Sequence, residues 1–123
     1  MSYTGKFFKN IAIAEVLDMG GLVEYKEGRV ESRTLVQNDA ISITLFAFDK
    51  NEGIGTHSAP GDALVYVLDG SVDIIIGDNE PVNLKKGQAV VMPADVPHSL
   101  DAVEKFKMLL VVVKKGELKF MKN

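Results

Sequence analysis

Apolar and polar residues alternate through most of this chain in short segments, which turn residues interrupt about every ten positions. Val30 to Val36 alternates with Arg29, Glu31 and Arg33 on one side, and Ala40 to Phe48 sets Ile41, Ile43 and Leu45 against Ser42 and Thr44. Leu64 to Leu68 and Ser71 to Ile76 are compact apolar runs. Val82 to Leu84, Gln88 to Met92, His98 to Leu100 and Phe106 to Val113 complete the series. β-Branched residues crowd these segments, as a pleated and partly buried surface favours. The breakers between them, "KNEGIG", "APG", "DG", "GDNEP", "KKG" and "PADVP", supply the backbone angles of tight connections. Many short strands with Gly and Pro turns predict an all-β protein, one small antiparallel barrel. Helical periodicity is weak. Only Ile13 to Met19 reads as a short helix or strand, within an N-terminal extension over 1–28. The barrel is expected over 29–113, followed by a frayed or loosely docked tail over 114–123.

Two segments are apolar on both faces. In Leu64 to Leu68, Val65 and Val67 point one way while Leu64, Tyr66 and Leu68 point the other, and Phe106 to Val113 behaves similarly. A strand apolar on both sides needs a second covering layer, from its own chain or from a two-fold partner, so a homodimer is an expectation.

Composition narrows the partners. A chain of 123 residues fits one domain with one core. Its net charge is −3 and its lysines are scattered, so no basic face is available for nucleic acid. No apolar run approaches the roughly 20 residues of a membrane span, and the start lacks the features of a secretory signal. With no cysteine, disulfides and thiolate chemistry are excluded, and a cytoplasmic location is expected.

The chemistry lies in two histidines, His57 and His98, the only ones in the chain. His57 lies in "GIGTHSAPGDALVYVLDGSV", Gly53 to Val72, and His98 in "GQAVVMPADVPHSLDA", Gly87 to Ala102. The first stretch resembles the cupin motif G-x5-H-x-H-x3,4-E-x6-G aligned on Gly70. His57 takes the first histidine position, Ala59 the second, and Ala63 the glutamate position. The second resembles G-x5-P-x-G-x2-H-x3-N: Gly87, Pro93 and His98 match, while Asp95 replaces the second glycine and Ala102 the asparagine. The resemblance is to small single-domain cupins with a degenerate metal motif. It implies a double-stranded β-helix, or jelly-roll barrel, in which His57 and His98 converge on one pocket.

In the cupins that this chain resembles, three histidines and a carboxylate hold a divalent metal. Two of those corners are alanine here. Metal sites of this kind ordinarily need at least three protein ligands. Asp62 adjoins the missing glutamate, but strand alternation turns it away from Ala63 unless a bulge intervenes. The alanines instead enlarge an apolar concavity, the usual form of a small-molecule site. Its expected lining is His57, Ala59, Ala63, Val65, His98, Leu100 and Met108, with Val67 and residues of the Ile41 to Phe48 strand as further neighbours. Neither Ser58 nor Ser99 has a visible base and orienting group, so nucleophilic catalysis has no support.

Three readings stay open. The first is a binding module for a small, mostly apolar molecule between His57 and His98. The second is a metal-dependent isomerase, lyase or dioxygenase, with His57 and His98 holding zinc, nickel, iron or manganese and Asp62, water or substrate completing the shell. The third is a metal-free enzyme using the histidines as acid and base.

Overall fold

A computed structural model describes residues 3–116. Nine strands follow one another: β1 Val30–Gln37, β2 Ile41–Phe48, β3 Gly53–His57, β4 Asp62–Asp69, β5 Ser71–Ile76, β6 Val82–Lys85, β7 Ala89–Met92, β8 His98–Asp101 and β9 Phe106–Val113. They form a five-stranded sheet ordered β1-β2-β9-β4-β7 and a four-stranded sheet ordered β3-β8-β5-β6. All strand pairs are antiparallel. The chain crosses between the sheets at β2–β3, β3–β4, β4–β5, β6–β7, β7–β8 and β8–β9, which wraps the sheets around one core as a jelly roll. The expected all-β, single-domain architecture is borne out. Among the described residues no helix is long and apolar enough to cross a membrane.

The period-two pattern decides which side chains enter the core. β4 buries Ala63, Val65 and Val67 and turns Leu64, Tyr66 and Leu68 outward. Ala63, Val65 and Val67 meet Phe48, Val72, Ile74, Leu84, Leu100, Phe106 and Met108 from the surrounding strands. Phe48 and Phe106 stack with ring centroids 4.6 Å apart. Each such apolar side chain contributes about 1.5–3 kcal/mol on leaving water, so this cluster dominates stability.

A second cluster sits on the outer face of the larger sheet. Leu35, Leu45 and Ala47 pack beneath Val23, Met19, Leu22 and Tyr25 of the N-terminal segment. The Tyr25 hydroxyl donates to Asp69 Oδ2 at 2.5 Å, and the ammonium groups of Lys105 and Lys107 lie 4.7 and 4.9 Å from its ring centre. Burial, then the Asp69 hydrogen bond and charge, raise this phenol well above the ordinary tyrosine range. The same segment covers the free side of β1, where Lys9 N–H donates to Leu35 O and the Asn10 amide to Thr34 O.

Two sequence expectations need correction here. Ile13 to Met19 forms no α-helix or strand; only its last residue, Met19, enters a 3₁₀ turn, Met19–Leu22. Ala14 has φ +61°, which breaks a regular helix or strand there, and Val16 is fully exposed while Met19 packs on the second cluster. Conversely, β3 runs through "GIGTH", which reads as turn because of its glycines. A Cβ at Gly53 would overlap the Leu100 carbonyl oxygen, so the residue is glycine because two strands approach closely. Of the expected C-terminal tail, residues 117–123 lie outside the described residues.

Candidate functional site

One end of the barrel brings the two histidines together. His98 opens β8, is 4% exposed, and shares its inward face with Leu100. His57 closes β3 at the rim and is exposed. Strict alternation from inward-facing Ile54 would turn His57 outward. A register shift between Ile54 and His57 pairs it directly with His98. The Nε2 atoms are 3.2 Å apart, and the rings meet edge to face with centroids 4.4 Å apart.

Each ring is held from behind by main chain. His57 Nδ1 lies 2.9 Å from Gly55 O and His98 Nδ1 lies 3.2 Å from Val96 O. Burial lowers the His98 pKa below the ordinary imidazole value; its hydrogen bond to Val96 opposes this, and the charge of His57 adds to it.

The pair caps a cavity of about 50 Å³ lined by Ile54, His57, Ala59, Ala63, Met92, His98, Leu100, Met108, Leu110 and Val112. Six of the seven residues expected from the sequence therefore meet there. Val65 does not line the cavity; it is fully buried deeper in the core. Phe46 packs against the same core and is also absent from the lining. Sequence reasoning missed Met92, Leu110, Val112 and Ile54. Leu110 and Val112 lie two and four positions beyond Met108 on one strand face, and Met92 pairs with Ala63. Ile54 was hidden with β3.

Asp62 faces out of the barrel. β4 pairs with β9 without a bulge at Asp62 and Ala63, and Asp62 Oδ1 accepts the Ala94 N–H at 2.8 Å. Asp95 N–H donates to Ala59 O at 2.8 Å. These two bonds clasp the loop after His57 to the loop before His98. Asp95, standing where the cupin motif has glycine, keeps a glycine-like φ of +64°.

The donor set does not fit a resident metal. Two imidazoles face the cavity, Ala59 and Ala63 present methyl groups at the other corners, and Asp62 is engaged outside. Among the described residues no third His, Cys, Asp or Glu gathers with them, short of the three ligands that such centres require.

Two antiparallel sheets closed on a paired-histidine cavity define a double-stranded β-helix protein. The cupin domain family matches residues 44–120. The chain belongs to the cupin family. It is similar to the crystal structure of a conserved protein of unknown function from Streptococcus pyogenes, with 46% identity over 94% of this chain and 100% of that one, and a TM-score of 0.89. A cupin superfamily protein from Desulfitobacterium hafniense matches with 29% identity over 88% of this chain and 98% of the other, at a TM-score of 0.83. A cupin 2 conserved barrel domain protein from Leptotrichia buccalis matches with 45% identity over 77% of this chain and 46% of that longer one, at a TM-score of 0.74. A search of curated proteins finds no match.

Proposed function

We propose that this cupin is a binding module for a very small organic molecule. The ligand's polar end meets His57 and His98, and its apolar body rests on Ala59, Ala63, Leu110 and Val112. The observation that carries this reading is the pair of imidazoles, Nε2 to Nε2 at 3.2 Å, closing an otherwise apolar cavity. Size limits the ligand. The cavity holds about 50 Å³, against roughly 300–1,000 Å³ for sites that take drug-sized molecules, so a guest of a handful of heavy atoms is expected.

A thermal-shift series with short-chain acids, amides and alcohols tests this. At 100 times Kd a ligand adds about 2.7 kcal/mol, which raises Tm by several degrees in a domain of this size. The rise should be seen in the wild type and be absent from the His57→Ala/His98→Ala double variant. Equal shifts in both proteins would dispose of the reading.

We also propose that the working unit is a homodimer joined through the outer face of the larger sheet. Leu64, Tyr66, Ala89, Val91, Val111 and Val113 share that face by register, and Tyr66, Val91 and Val113 are 38%, 53% and 56% exposed. None of the six is charged; Asp62, which faces out opposite Val113, already accepts the Ala94 N–H, and a self-complementary contact must leave it open to solvent. Sedimentation velocity is expected to give a dimer for the wild type and a monomer for Val91→Lys. A monomeric wild type at micromolar concentration would end this proposal.

A further inference from the structure

Hydrogen-bond accounting at the histidine pair leads to a ligand class. A main-chain carbonyl only accepts. Gly55 O and Val96 O therefore each require a proton on the Nδ1 that faces them. In a neutral imidazole the remaining nitrogen then carries a lone pair. Two neutral rings would aim two lone pairs at each other across 3.2 Å. The arrangement closes only when something positive lies between the Nε2 atoms. In cupins with a full ligand set that is a metal; here the donor set falls short of one.

We infer that a proton takes the metal's place: His57 donates Nε2–H to His98 Nε2, the pair carries one positive charge, and the cavity's ligand is a small monocarboxylate. This rests on the small-molecule reading of the cavity and names the chemistry of that ligand.

Three protons on two rings make one imidazolium and one neutral imidazole. His57 is exposed at the rim and is the donor, since a charge costs less where solvent reaches it, and buried His98 is the acceptor. Among the described residues the charge meets no carboxylate within its own cluster, and a charge beside an apolar cavity is costly until a counter-ion arrives. A carboxylate supplies it, while Ala59, Ala63, Leu110 and Val112 accept a two- or three-carbon tail.

The test uses full-length protein labelled with ¹⁵N-histidine, with sodium butyrate and its neutral isostere butyramide as probes. Long-range nitrogen–proton spectra of the wild type should show both Nδ1 atoms protonated and His98 Nε2 as an unprotonated acceptor. Charge-assisted hydrogen bonds are about twice as strong as neutral ones, so butyrate should bind at least about tenfold tighter than butyramide. His57→Gln keeps a donor but not the charge and should abolish that preference. An Nδ1 without a proton on either ring would overturn the inference. So would butyramide matching butyrate, which would leave the small-molecule reading standing. Zinc chloride binding one equivalent tightly and displacing butyrate would overturn it as well. If neither probe binds, and no other short-chain compound does, both readings fall together.

Discussion

Gly70→Ala is expected to cost more than about 4 kcal/mol, enough to remove most of the stability of a domain of this size. Gly70 is the single residue between β4 and β5, where the chain leaves one sheet for the other. Its φ is +76°, which costs a residue with a side chain about 1–2 kcal/mol. Space is the larger obstacle. A Cβ there would overlap the Lys105 carbonyl oxygen and lie 2.8 Å from Phe106 Cα. Both are backbone atoms and cannot swing aside, and Phe106 carries the ring stacked on Phe48. Gly87 supplies the control: its φ is +87°, but nothing lies within 4 Å of the position a Cβ would take. Gly87→Ala should therefore cost only the conformational part, about 1–2 kcal/mol. Urea denaturation of the two variants measures the difference. Similar midpoints would show that the sheet crossing yields to a methyl group, against this account.

Ala63→Glu should convert the cavity into a metal centre. Ala63 is 3% exposed, and its methyl lines the cavity beside both imidazoles. A carboxylate there becomes the third protein donor, the minimum for a catalytic zinc or iron site. Losing even an outer-shell partner typically costs such sites about 10–100-fold in affinity. Gaining a direct ligand should exceed that, more than about 100-fold for zinc. The cavity of about 50 Å³ is largely consumed by the longer side chain, so the metal-free variant should lose about 1–3 kcal/mol to overpacking. Zinc retained after dialysis, together with a competition titration, reads the gain. Equal retention by wild type and variant would mean that Ala63 does not stand where a third donor is needed.

Much of the fold was visible as alternation. β4 and β9 read correctly because their core faces repeat every second residue. Leu110 and Val112 were missed, although they share the face of Met108, because alternation marks a face and not how far along it a cavity extends. β3 escaped because the feature that makes it a strand, Gly53 against the Leu100 carbonyl, removes the side chains that mark strands. The opposite error, at Ile13 to Met19, came from apolar residues that pack from an irregular segment, with Ala14 at φ +61°. The convergence of His57 and His98 was what the resemblance to the cupin motifs implied. The bulge that turns His57 inward follows from pairing with β8, which no local pattern encodes. Asp62 obeyed alternation, and its bond to Ala94 N–H joins loops more than thirty residues apart.

The N-terminal segment has one more effect, through the margins of the larger sheet. Along β1 the Leu35 and Thr34 carbonyls are taken up by Lys9 N–H and the Asn10 amide of the same molecule. Along β7 the strand is only four residues long, preceded by Lys85, Lys86 and Gly87 and ended by Pro93. Neither flank offers a long ladder for a foreign strand to extend. Molecules of this protein can crowd together through their broad sides, while these two flanks of the larger sheet give strand addition little to build on.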